Sequence, residues 1–334
     1  MNKLTKLGVS ALCGSLAAVS AANAGDLSVT GGVDMSWISL DDETVGNPIG
    51  MGSNLTFSGS GELDNGWSVA LSVAHTNANA YSNTNVVVTV PSMGDIRIDQ
   101  GTSGTGIDRI DDVTPNVWEE AYGTGLGTGI DTVSGGSAGS TIEFTPNMLP
   151  DGLTMRLAWS PDVSGSNSAD KASSGDGGTA GSAWDVTISA GEDMHGFAGL
   201  TIDAGMSETD NSNSANDDKE EETFAITYAA GAFTLGYQWS EEDLGTSSGA
   251  LSYENTGYGI TFNVNDDLSV GYNHYESDQD NSTDVTAEAT SVQIAYSMGG
   301  ASIRLAEASV DNAKYQTGAA YDRDATTLSV SLAF

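Results

Sequence analysis

The stretch "TTLSVSLAF", residues 326–334, decides how the chain is to be read. Leu328, Val330, Leu332 and Phe334 fall on one side of an extended strand. Thr327, Ser329, Ser331 and Ala333 fall on the other. Chain ends fray unless a neighbour holds them, so a strand running to residue 334 must pair along its length. Its partner, and whatever meets its apolar side, have to come from the rest of the sequence.

The same alternation recurs from residue 27 onward. Leu27, Val29, Val33, Met35 and Trp37 oppose Ser28, Thr30, Asp34 and Ser36. Leu55, Phe57 and Leu63 lead through the tight turn at Asp64–Gly66 to Trp67, Val69, Leu71 and Val73. Counted through to the end, sixteen such strands are predicted. Their connections alternate, seven short turns against eight longer polar loops such as "SLDDETVGNPIGMGS" and "ETDNSNSANDDKEEE".

Period-two strands with short turns on one side and long loops on the other describe a transmembrane antiparallel β-barrel. A soluble β-sandwich, as in a secreted or surface adhesin, alternates too. It needs large apolar residues meeting in a core, and it has no reason to sort loop lengths by side. In a barrel the final strand pairs with residues 27–37, and closure removes both sheet edges. The apolar faces then meet lipid. Trp67, Phe197, Phe233 and Phe334 fall at the turn rim and Trp37, Trp159 and Trp239 at the loop rim, two aromatic girdles. The parity predicts that Leu235, facing lipid, rejects a charge, whereas Gly236, facing inward, accepts serine.

Composition narrows the function. Residues 1–24, with Lys3 and Lys6, an apolar run and Ala22-Asn23-Ala24, have the layout of a secretory signal peptide, so residues 25–334 form the barrel domain. Cys13 is the only cysteine, which rules out a disulfide framework and a thiol nucleophile in that domain. Ten Lys and Arg against 46 Asp and Glu make nucleic acid an implausible partner. His75, His195 and His274 are scattered, so neither a Ser/His/Asp site nor a histidine metal site is expected, and the chain does not read as an enzyme. "GTGLGTG" at 123–129 lacks the βαβ setting of a dinucleotide site. No cofactor is expected beyond loosely bound Ca²⁺ or Mg²⁺ at the acidic outer loops.

With the signal peptide, sixteen strands, a C-terminal Phe and a very long third loop at 102–139, the chain resembles the general diffusion porins of Gram-negative outer membranes. The resemblance implies a homotrimer in outer-membrane lipid, a third loop folded into the barrel to narrow it, and passage of ions and small hydrophilic solutes. A substrate-specific channel is the rival reading. It calls for an aromatic track on the lumen side, whereas the strand aromatics here almost all point to lipid.

In the third loop, Thr114, Pro115 and Gly123 have the spacing of a short helix. Trp118 and Tyr122, four residues apart, would share the face that packs on the wall. That leaves Asp108, Asp111, Asp112, Glu119 and Glu120 near the opening. Arg97, Arg156 and Arg304 point inward by parity. They either face the loop acids across the opening or pair locally with Asp95, Asp99 or Glu143. Five loop acids against three wall arginines and Arg109 predict a mild preference for cations.

Overall fold

A computed structural model describes residues 27–41, 47–76, 83–100, 104–137, 139–163, 180–211, 213 and 215–333. The expected signal peptide at 1–24, parts of the loops beginning near 41 and 163, and Phe334 lie outside these residues. Among them, sixteen antiparallel strands close into one barrel in which each strand pairs with its sequence neighbours and the last pairs with the first. The strands are β1 Ser28–Leu40, β2 Ile49–Glu62, β3 Ser68–Thr76, β4 Asn83–Val90, β5 Gly94–Gln100, β6 Ser140–Pro146, β7 Leu153–Ser160 and β8 Ala180–Ala190. They continue with β9 Leu200–Asn211, β10 Lys219–Ala230, β11 Phe233–Asp243, β12 Ser252–Asn263, β13 Leu268–Asp280, β14 Val285–Met298, β15 Ala301–Asp311 and β16 Arg323–Ala333. Closure runs from Gly32 opposite Ala333 to Leu40 opposite Ala325. The two-sheet sandwich is therefore excluded.

The outward faces carry exposed Val29, Trp37, Leu71, Trp159, Ile188, Leu235, Ile294 and Leu328, as a lipid-facing surface requires. Phe233 stacks on Phe262 with centroids 4.5 Å apart at the turn rim. Trp184, opposite Trp159 in the register, adds a loop-rim aromatic that the sequence pattern had not singled out.

Strand ends depart from the sequence reading. β2 starts at Ile49, so Ile49–Ser53 is strand and not loop. β9 and β10 run through "SETDN" and "KEEE", leaving only 212–218 as their connection, and β13 and β14 are joined by 281–284 alone. The reason is that a barrel wall can continue above the membrane with polar residues on both faces, where apolar alternation gives no signal. The wall is therefore uneven. β4–β7 have seven or eight residues, whereas β13 and β14 have 13 and 14.

Candidate functional site

The described residues between β5 and β6, 104–137 and 139, lie inside the barrel and are fastened to the wall at several points. It starts at a buried carboxylate. Glu143 on β6 accepts the Gly106 N–H at 2.8 Å and takes Arg109 in a two-point grip, Nε to Oε2 at 2.9 Å and Nη2 to Oε1 at 2.7 Å. Arg97 Nε donates to Asp99 at 2.9 Å and its Nη1 to the Gly104 carbonyl at 3.3 Å. Ile107, Ile110 and Val133 form a small apolar cluster over this anchor.

The middle of the loop lies close against the wall because the wall places glycines under Pro115. A Cβ on Gly236 would sit 2.2 Å from Pro115 Cδ, and one on Gly259 would sit 2.3 Å from the Pro115 carbonyl oxygen. Separations this short do not occur, so only glycine admits the loop at these two positions. Serine at 236 is thus not tolerated as the inward parity suggested; the space is already occupied. Wall amides hold the main chain. Gln238 accepts the Val113 N–H at 3.0 Å and donates to the Ile110 and Asp111 carbonyls at 2.9 and 2.6 Å. Gln293 accepts the Trp118 N–H at 3.1 Å and donates to the Glu119 carbonyl at 2.5 Å.

These contacts explain why the expected helix does not form. The backbone groups that a helix would pair internally are paired to the wall instead. Within its span only a short 3₁₀ turn, Ala121–Gly123, remains, and a second, Gly106–Ile110, precedes it. Beyond them, residues 124–130 alternate buried Thr124, Leu126, Thr128 and Ile130 with exposed glycines. Leu126 packs among Ala308, Val310, Ala313 and Ala325, and Ile130 packs beside Tyr275, Ala287 and Ala289. The return arm ends on two more wall carboxylates. Glu221 accepts the Ser134 and Gly135 N–H groups at 2.9 and 2.8 Å, and Asp185 accepts the Gly136 N–H at 3.2 Å.

The sequence-named residues therefore separate. Tyr122 meets Tyr275 edge-on at 4.8 Å on the wall, whereas Trp118 lines a recess on the open side with Asp34, Glu119 and Arg304. Glu120 is buried and accepts a hydrogen bond from Asn116; Asp108 accepts one from the Gly104 N–H. Asp112 is exposed, and Glu119 is half-buried and in range of Arg304, Asp112 and Asp34. Arg304 Nη1 is 3.5 Å from Asp34. Arg97 and Arg109 are tied to Asp99 and Glu143, and Arg156 on β7 lies in the field of Arg109, Glu143 and Asp203. Asp34 is exposed at the recess, whereas Asp203, Gln238 and Gln293 are buried. Their inward parity was visible in the sequence, but the loop groups that Gln238 and Gln293 hold lie more than a hundred residues away.

Burial raises the loop carboxyls. Asp111 is pushed up to about 8, first by burial and then by Asp112, with which it shares a side-chain hydrogen bond. Glu120 is pushed up to about 7 by burial, with smaller contributions from Asp112 and Glu119. Asp108 and Glu119 also rise through burial, the latter held back by Arg304. Fewer than five loop charges are therefore present at neutral pH.

The family model for Gram-negative porins matches residues 8–306. No curated protein sequence matches the chain. Similar solved structures include the anion-selective porin from Comamonas acidovorans, 14% identical, covering 92% of this chain and 99% of that one with a TM-score of 0.64. OmpF of Salmonella typhi is 11% identical, with 92% and 97% coverage and a TM-score of 0.68. The outer-membrane expressed OmpT of Vibrio cholerae is 12% identical, with the same coverage and a TM-score of 0.66. At these identities the likeness is one of fold. The family match, the closed sixteen-stranded barrel and the loop folded inside it together make the chain a member of the Gram-negative porin family, a channel protein of the bacterial outer membrane.

Proposed function

We propose that the protein is a water-filled, homotrimeric diffusion channel for ions and small hydrophilic solutes, with a mild preference for cations and no enzymatic activity. One observation carries the preference. Glu119 lies in the field of two further acids, Asp34 and Asp112, and of one cation among the described residues, Arg304, while Arg97 and Arg109 are held by wall carboxylates. Charge in a narrow, partly desolvated passage is screened less than charge in outer loops. Reversal potentials across a KCl gradient test it. A cation-selective sign is expected, larger at low salt, and an anion-selective wild type overturns it.

The trimer is supported by the family and by the low wall. Seven or eight residues, at about 3.4 Å each and tilted about 40°, rise only about 20 Å. That is short of the roughly 25 Å apolar band of such barrels, so a second copy against β4–β7 would shield this side from lipid. The mass of the detergent-solubilised protein decides the oligomer number. Loose Ca²⁺ or Mg²⁺ binding at the loop rim belongs to the same reading. Glu208, Asp210 and Asp218 bring carboxylate oxygens within 4.8 Å of one another there.

A further inference from the structure

The recess on the open side of the third loop has a volume of about 430 Å³, within the roughly 300–1,000 Å³ of small-molecule sites. Arg304 borders both this recess and a second one of about 280 Å³ lined by Asn116, Asp266 and Asp267. Arg304 is thus shared by the two recesses. Four side chains give the larger recess its chemistry: Arg304, Glu119, Asp34 and the indole of Trp118, with hydroxyls from Ser36 and Ser329 around them.

We propose that this recess is a binding station for zwitterionic solutes of the α-amino-acid class. The solute carboxylate docks on Arg304, its ammonium sits between Glu119 and Asp34, and a flat side chain lies on Trp118. This rests on the reading of the protein as an open channel and narrows which solutes pause in it.

Three features support it. The first is charge balance. A bare anion attracted to Arg304 also meets Asp34 and Glu119, and a bare cation drawn to those acids meets Arg304. Only a solute carrying both charges at close spacing is favoured by all three. The second is available donors. The Arg304 side chain has, among the described residues, one ion contact at 3.5 Å, to an Asp34 whose side chain is 56% exposed. A guanidinium has five N–H donors in a fork that matches a carboxylate, so most are left for a ligand. Arg109, by contrast, is already engaged by Glu143. The third is preorganisation. The main chain of Trp118 and Glu119 is fixed by Gln293 and by Asn273, whose Nδ2 donates to the Glu119 carbonyl at 3.3 Å. The backbone that carries the acid and the ring is therefore set in place before a solute arrives, which lowers the ordering cost of binding. Indole faces also attract an ammonium directly.

Single-channel recording in planar bilayers tests this with three probes at neutral pH: L-phenylalanine, phenethylamine and 3-phenylpropionate. They share a ring and differ in charge. Phenylalanine is expected to interrupt the KCl current with residence times about tenfold longer than either singly charged analogue, the equivalent of one good charge-assisted hydrogen bond. Arg304→Gln and Glu119→Gln should each bring phenylalanine down to the analogues' level. Trp118→Ala should shorten phenylalanine residence, and Asp217→Asn in an outer loop should leave it unchanged. Equal residence for the three probes overturns the station, as does a phenylalanine signal that survives Arg304→Gln. The wild-type probe comparison needs no variant to fold. An open KCl channel without discrimination among the probes removes this inference alone, whereas a wild type with no KCl conductance removes the channel reading beneath it.

Discussion

Two arginines on the inner surface of this barrel have opposite circumstances. Arg109 lies on the flank of the third loop nearest β5–β9, gripped at two points by a nearly buried Glu143. Arg304 lies on the other flank, 3.5 Å from an Asp34 that is largely open to water. The residue type is the same and the two side chains are about equally exposed, 26% and 25%, but one charge is spent on a buried carboxylate and the other is offered to solutes. Counting charged residues in a pore therefore misleads unless each charge is assigned to one of these two conditions.

The largest expected effect comes from breaking the closed side. Glu143→Ala leaves the Arg109 guanidinium and the Gly106 N–H without their acceptor, and losing one partner of a buried pair costs about 3–5 kcal/mol. Thermal unfolding in detergent should show this loss, whereas Arg304→Gln on the open side should cost under about 1 kcal/mol, as for exposed pairs. Equal losses would mean that the two flanks do not differ.

On β11, neighbouring positions sharpen the contrast between wall and loop. Leu235→Arg places a charge in lipid at about 2–4 kcal/mol and should block assembly. Gly236→Ser should strain the seat of Pro115 by about 1–3 kcal/mol, in the manner of overpacking. It should also change single-channel conductance as the loop shifts. A normal conductance with normal stability would show that the loop is not seated on that glycine.

Selectivity gives a smaller, purely electrical signal. Asp112→Asn with Glu119→Gln should weaken the cation preference more than Asp108→Asn with Glu120→Gln, because the second pair is turned into the protein. In wild type, Asp111 at about 8 and Glu120 at about 7 are partly protonated at neutral pH. Raising the pH from 6 to 9 removes those protons and adds negative charge, so the reversal potential should become more cation-selective over that interval. A flat profile would place Asp111, like the inward-turned Glu120, away from the ion path. The smallest effect, close to none, is expected from Asp217→Asn with Asp218→Asn at the loop rim.

How much of this was legible in the sequence follows from where each signal arises. Leu328, Val330 and Leu332 announced a lipid-facing strand because one face of every barrel strand answers to a single solvent. The inward direction of Arg97, Arg156 and Arg304 came from the same parity. Which acid each arginine meets did not, since Glu143 and Arg109 come together only when the loop folds back over 34 residues. Gly236 and Gly259 read as unremarkable strand glycines, and nothing local marks them as the seat of Pro115. Thr114, Pro115 and Gly123 carried a helix signal, but wall amides at 238 and 293 outcompeted it. The polar extensions of β9, β10, β13 and β14 read as loop because strand standing in water has no apolar side to display.

The grip of Gln238 and Gln293 on the loop's main chain has a consequence for variation. Because these amides bind carbonyl and N–H groups that every residue but proline possesses, the side chains at 112, 118 and 119 can be exchanged without unfastening the segment that bears them. A lineage, or a designer of filtration membranes, can therefore rewrite the filter one letter at a time while the barrel beneath it stays unchanged.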